Sequence, residues 1–158
     1  MENKQIPLAE LWPIMKEQLD DGKTVVFSPK GTSMLPIIRQ GIDRVVLKKA
    51  PAELKKYDLP LYLRTNGQFV LHRVVKKNKN GYVMCGDNQF RYEYGIKQNQ
   101  ILAIASGMYK GEKFISFESK ENLRYCRKQV LKMRFYGVYV RIMRLGSRIK
   151  HKITDRKK

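Results

Sequence analysis

Leu59-Pro60-Leu61-Tyr62-Leu63-Arg64, then Thr65-Asn66-Gly67, then Gln68-Phe69-Val70-Leu71-His72-Arg73-Val74-Val75-Lys76 is the stretch on which the fold turns. Two apolar runs flank an Asn-Gly pair. A tight hairpin selects that pair because its favoured turn needs positive φ at both central residues. The stretch therefore predicts two antiparallel strands, Leu59–Arg64 and Gln68–Lys76. The pattern repeats outward from there. Asp43–Lys48 alternates enough for a strand after a turn at Gln40-Gly41, and Tyr82–Cys85 follows a turn over Lys77–Gly81. Gln100–Tyr109 and Glu112–Phe117 flank Lys110-Gly111 as a last hairpin. Thr24–Ser28 is a short β-rich run leading into Pro29-Lys30-Gly31, and Pro51–Tyr57 reads as a connector or a single helical turn. Many short strands separated by turn signals predict a mainly β body.

A helix is expected at each end. Leu8, Leu11, Ile14 or Met15, and Leu19 have helical spacing, and Asp20-Asp21-Gly22 is a terminator. Near the other end Leu131, Phe135, Val138, Ile142, Leu145, Ile149 and Ile153 recur at three- and four-residue steps. Arg134, Arg141, Arg144 and Arg148 fall largely off that row, which describes a long basic amphipathic helix with Gly137 and Gly146 as points where it can bend. The expected class is mainly β with flanking helices. The organisation is a body over residues 1–119 and a basic helical tail over 120–158, with no internal repeat or low-complexity linker.

A chain of 158 residues is one domain and can bury a real core. Its formal net charge is +19. From Glu121 onward there are thirteen Lys or Arg against two acids, which puts +11 of that charge in about a quarter of the chain. Such a helix can pack its apolar row on the body and solvate its arginines. It can also lie on an anionic membrane surface, with Tyr125, Tyr136 and Tyr139 near the headgroups, or follow the phosphates of a nucleic acid, which ranks last. Cys85 and Cys126 lack Cys-x-x-Cys spacing and read as free intracellular thiols. With only two histidines a structural zinc site is not expected, nor is any metal or cofactor. No run reaches the eighteen or more apolar residues of a membrane span; Phe135–Leu145, the most apolar stretch, contains Arg141 and Arg144. Met1-Glu2-Asn3-Lys4 does not open a secretory leader. These features predict a cytoplasmic protein, peripheral at the inner membrane face where the tail holds it.

The chemistry-bearing residues come in three ordered blocks: Gly31-Thr32-Ser33-Met34-Leu35-Pro36, Val70-Leu71-His72-Arg73-Val74-Val75 and Cys85-Gly86-Asp87-Asn88. A serine hydroxyl needs a neighbouring base to take its proton as it attacks. Imidazole suits this role, being mostly neutral yet basic at pH 7, and an acid on its other nitrogen fixes the tautomer. His151 lies in the basic tail, so an imidazole base would be His72. Taken singly, Ser33 is a turn serine, His72 a half-buried strand residue and Asp87 a turn residue. Together and in order, they are the parts of a hydrolytic site.

The three blocks resemble the type I signal peptidase superfamily, which includes the repressor-type autoproteases, over roughly Thr24–Ile115. The closer likeness is to its small soluble bacterial members. The resemblance implies a coiled antiparallel β-sheet peptidase body, with Ser33 as nucleophile. His-Arg-Val-Val is similar to the archaeal and endoplasmic-reticulum branch, which implies His72 as base where other branches use lysine. That branch has an aspartate six residues beyond the first acid. Here the position holds Glu93, so the third member is Glu93 or Asp87. Gly31, Thr32, Met34 and Pro36 are the expected oxyanion and substrate-binding positions, with the Ser33 backbone N–H as a donor and no side-chain donor at Gly31. Pro36 is expected to keep the segment after the nucleophile extended. In an unbroken strand Lys76 would share the face of His72 about 13 Å away, too far to replace it. The expected activity is that of a serine endopeptidase cutting an extended peptide or small protein precursor, with small side chains at the cleavage point. The alternative is a binding module that keeps the fold and uses its basic tail to hold a membrane, an acidic partner or nucleic acid.

Overall fold

The computed structural model describes residues 6–155, with side chains described as far as Tyr139. The chain is mainly β, with two antiparallel sheets and a helix at each end. Helix α1 (Leu8–Asp20) is followed by β1 (Val25–Phe27), β2 (Asp43–Lys49), β3 (Pro60–Leu63), β4 (Phe69–Leu71), β5 (Arg73–Asn78), β6 (Gly81–Cys85) and β7 (Glu93–Ile96). A 3-10 turn at Gln98–Gln100 leads into the long β8 (Ile101–Lys110), then β9 (Lys113–Ser116) and helix α2 (Lys120–Asp155). Among the described residues no helix is long and apolar enough to cross a membrane.

A hairpin forms at Asn66-Gly67, but its turn has positive φ at Gly67 and not at Asn66, with Gly67 N donating to Arg64 O at 2.9 Å. Gly67 has φ +80, Arg64 N donates to Gln68 O at 2.9 Å, and Leu63 pairs with Phe69, Tyr62 with Val70 and Leu61 with Leu71. Its second arm is not one strand. The expected run Gln68–Lys76 breaks at His72: β4 stays beside β3, while β5 joins β6 and β7. The larger sheet runs β1-β2-β8-β3-β4, with β9 also on β8; the smaller runs β5-β6-β7. The connector Pro51–Tyr57 holds no helical turn. Tyr57 has φ 82, and its N–H donates to Val74 O at 2.8 Å, fastening the connector to β5. Strand β7, which carries Glu93, was not among the expected strands.

The larger sheet is covered on both faces. Leu61 and Leu71 point into one core with Met15, Leu19, Met34, Ile38, Val45, Leu47 and Ala103. Tyr62 and Val70 point into the other with Leu54, Val74, Tyr82, Met84, Ile96 and Ile104. Helix α1 therefore closes one face and the smaller sheet the other. Met15 and Leu19 are buried in α1 while Ile14 is exposed, which decides between the two expected positions. Val75 and Cys85, on the far face of the smaller sheet, pack against Val130 and Met133 of α2. Ser119 caps α2, its Oγ accepting Asn122 N–H at 3.1 Å.

Candidate active site

His72 sits where the chain leaves one sheet for the other, between Leu71 of β4 and Arg73 of β5. It is 3 % exposed. Its Nδ1 lies 2.9 Å from Glu93 Oε1 on β7. Tyr62 OH donates to the same oxygen at 2.9 Å and lies 3.3 Å from Nδ1. Arg64 holds the carboxylate from its other side, Nε to Oε2 at 2.7 Å and NH2 to Oε1 at 2.6 Å. An ionised carboxylate only accepts, so the imidazole proton belongs on Nδ1 and Nε2 is the free base. Burial lowers the His72 pKa below its usual 6.5, and the Glu93 charge recovers part of that. For Glu93, burial acts to raise the pKa, but Arg64 and Tyr62 outweigh it and hold the carboxyl below the usual range. Burial pushes the Tyr62 phenol up, with Glu93 adding to the effect, so it stays a donor.

Ser33 approaches from the loop between β1 and β2. Gly31 takes φ +94, and its N–H donates to Gln40 Oε1 at 2.7 Å. The segment after Ser33 is not extended. Leu35 N donates to Thr32 O at 3.2 Å and Ile38 N to Met34 O at 3.0 Å, coiling it so that Met34, Ile37 and Ile38 are all buried. Burying three apolar side chains from so short a segment requires this near-helical spacing. Pro36 is left exposed and outside the cleft, whereas Gly31, Thr32 and Met34 line it with Ser33. The cleft holds about 290 Å³; Lys30, Arg64, Gln68 to His72 and Gln89 complete most of its wall.

Gly86-Asp87-Asn88 positions Ser33 against His72. Asn88 N donates to Ser33 O at 2.7 Å and Asn88 Nδ2 to Thr32 O at 3.2 Å. A Cβ at Gly86 would lie 2.6 Å from Ser33 O, 3.0 Å from Ser33 Cβ and 3.1 Å from His72 Nε2. Ser33 and the free nitrogen of His72 therefore both lie against Gly86, where a side chain would not fit. Among the described residues no hydrogen bond joins Ser33 Oγ to His72. Apo sites are often looser than their complexes in this respect.

Asp87 lies elsewhere. Its carboxylate takes a bidentate pair from Arg73, Nε to Oδ1 at 2.8 Å and NH2 to Oδ2 at 2.7 Å, with both side chains buried. Tyr125 OH donates to Oδ2 at 3.0 Å, and Gln129 Nε2 to the Asp87 carbonyl. Arg73 NH1 completes the cluster on Tyr57 O at 3.1 Å and Cys126 Sγ at 2.9 Å. Burial acts to lower the Arg73 pKa, but the Asp87 carboxylate more than reverses it and holds the guanidinium charged. The first turns of α2 thus brace the acidic turn from behind.

The structure brings Ser33, His72 and Glu93 together, with Gly31, Thr32 and Met34 around the nucleophile, and turns Asp87 toward Arg73. Sequence reading missed Tyr62 and Arg64, which hold Glu93, and the clearance at Gly86. Alternation along a strand could have flagged Arg73, since neighbours point oppositely and His72 and Arg73 each need a carboxylate. Cys85 and Cys126 are free and buried. Among the described residues no group of three His, Cys, Asp or Glu side chains is placed to hold a metal ion. In comparison with known proteins, no family model matches the chain and no curated protein is a match.

Proposed function

We propose that the chain is a serine endopeptidase with Ser33 as nucleophile, His72 as general base and Glu93 as the acid behind it. The observation that carries this reading is the Glu93–His72 Nδ1 contact together with His72 Nε2 and Ser33 both lying against Gly86. In the reaction Ser33 Oγ attacks the peptide carbonyl carbon as its proton passes to His72 Nε2. The Ser33 backbone N–H is the donor for the resulting oxyanion. The C–N bond then breaks, Nε2 returns the proton to the leaving amine, and an acyl-serine remains. Water, deprotonated by the same nitrogen, attacks the acyl carbon; the bond from that carbon to Ser33 Oγ then breaks, Nε2 returns the proton to Oγ, and the acid is released. Glu93 stabilises the imidazolium present in both tetrahedral stages.

The resemblance to the signal peptidase superfamily supports this reading, and the coiled-sheet body of that family belongs to the same proposal. Two antiparallel sheets with terminal helices agree with it at a coarser level. A cytoplasmic site of action is part of the proposal too, supported by two free buried thiols. The substrate is an extended peptide or small protein precursor seated in the cleft beside β4. Wild type and Ser33→Ala should be compared against a peptide library, and by labelling with a fluorophosphonate probe. Cleavage and a labelled Ser33 in wild type only are expected; equal processing by both proteins rules out the nucleophile. The rival reading, a non-catalytic binding module, draws on the missing Ser33–His72 hydrogen bond. Peptide retained uncut and unlabelled by wild type favours it.

A further inference from the structure

Helix α2 buries the side opposite to the one its sequence pattern marks as apolar. Asn122, Cys126, Gln129, Val130 and Met133 are buried against the body. Leu131, Phe135 and Val138 belong to the apolar row, and they are 52 %, 68 % and 52 % exposed. At about 100° per residue they lie roughly half a turn from the buried set. In the sequence the row continues through Ile142, Leu145, Ile149 and Ile153, which lie outside the residues whose side chains are described.

The row is flanked by cations. Helical spacing puts Arg127 and Arg134 along one side of it, Lys128 and Lys132 along the other, and Arg124 in line with it. All five are exposed, and among the described residues none enters an ion pair. Tyr139 is also exposed, at the border of the apolar row, whereas Tyr136 lies toward the body and packs on Phe90, ring centroids 5.2 Å apart. The body cannot neutralise these charges or cover the row, because its contact with α2 is on the far side.

We propose that this outward face of α2 is a docking surface for an anionic lipid bilayer, with Leu131, Phe135 and Val138 entering the headgroup–acyl boundary and the flanking cations on lipid phosphates. The chemistry separates this partner from two others. A second copy would bring five cations against five cations. A nucleic acid would satisfy the cations but leave the central apolar row against phosphate and water. A bilayer satisfies both, since an interfacial helix gains from apolar burial and from charge together. This inference stands independently of the proposed peptidase reaction.

The test is co-sedimentation of the full chain with vesicles of pure phosphatidylcholine and of phosphatidylcholine with phosphatidylglycerol, at low and high salt. Binding to the anionic vesicles alone, weakened by salt, is expected. Each cation near the surface contributes about five-fold in affinity. The triple variant L131S/F135S/V138S should bind at least ten-fold more weakly while keeping the wild-type thermal midpoint, because the three side chains are not in the core. A variant with Arg127, Lys128, Lys132 and Arg134 all changed to Gln should also lose binding. Three outcomes overturn the proposal: anionic vesicle binding unaffected by the apolar triple, tighter binding to duplex DNA or RNA than to vesicles, or concentration-dependent dimerisation that the triple abolishes without vesicle binding.

Discussion

Two carboxylates six residues apart serve two different neighbours, and that division has measurable consequences. His72 and Arg73 are adjacent, point to opposite sides, and each takes one acid: Glu93 for the imidazole, Asp87 for the guanidinium. Glu93→Gln should lower turnover by roughly 10²–10⁴-fold with little loss of fold, because it removes the group that orients and stabilises the imidazolium. It should also move the acid limb of kcat/KM downward, since Glu93 is what raises a His72 pKa already depressed by burial. In wild type that limb is expected below about 6.5. Asp87→Asn should act on stability instead. It strands a buried guanidinium and should cost about 3–5 kcal/mol by denaturant titration. Gly86→Ala completes the set at this scale. Its Cβ would meet the Ser33 carbonyl at 2.6 Å, and that atom is backbone, so the nucleophile loop must move away from His72. Turnover should fall by at least ten-fold, with loop displacement visible as shifted amide resonances of Ser33 and Met34. The sequence named both acids but could not choose between them, because spacing along the chain says nothing about which strand passes behind the histidine.

At the scale of elements, the hairpin was legible and its interruption was not. Asn66-Gly67 specifies a turn through local backbone preference alone. Phe69 to Val75 is apolar but for His72 and Arg73, because β4 and the start of β5 are buried on both faces, in different sheets, and such a run does not mark the residue at which the chain changes partner. The break changes the basis of the lysine comparison. Lys76 does not lie along one strand from His72; it is exposed on β5, after an irregularity between Val74 and Lys76. The expected outcome is the same on firmer ground: His72→Ala abolishes turnover and Lys76→Ala spares it, measured on one peptide across pH 5–10. Helix α2 was legible in extent, because its apolar row has the right period, but not in orientation. The row that looked ready to pack is exposed, while the buried side uses Asn122, Cys126 and Gln129, which a hydrophobicity pattern does not register. Gln129 touches Asp87 and Cys126 touches Arg73, so truncation after Lys120 should lower the thermal midpoint as well as any activity. An unchanged midpoint would mean that the bracing contributes nothing.

At the scale of the whole molecule, the site is made by layering. Helix α1 and the Ser33 loop close one face of the larger sheet, the smaller sheet closes the other, and the chain crosses between sheets at His72. A histidine buried at that crossing couples global stability to pH, and the sign follows from the direction of each shift. The unfolded chain takes a proton on His72 near pH 6.5, whereas the native state resists until lower pH. Between those values the unfolded state holds more protons, so stability falls as pH drops through the window. The native pKa values of Asp43 and Glu93 are also depressed: Arg39 lowers that of Asp43, and Arg64 with Tyr62 overcomes burial at Glu93. Their stabilisation is present above the ordinary carboxylate range and is lost as pH falls through their native values. Denaturant unfolding followed from pH 8 to pH 3 should therefore show two declines, one beginning near pH 6.5 and a steeper one below about pH 4. His72→Asn should remove the first decline and leave the second. If the first decline persists in that variant, its proton goes to a group other than His72, and burial at the sheet crossing is not what sets the near-neutral pH dependence of this fold.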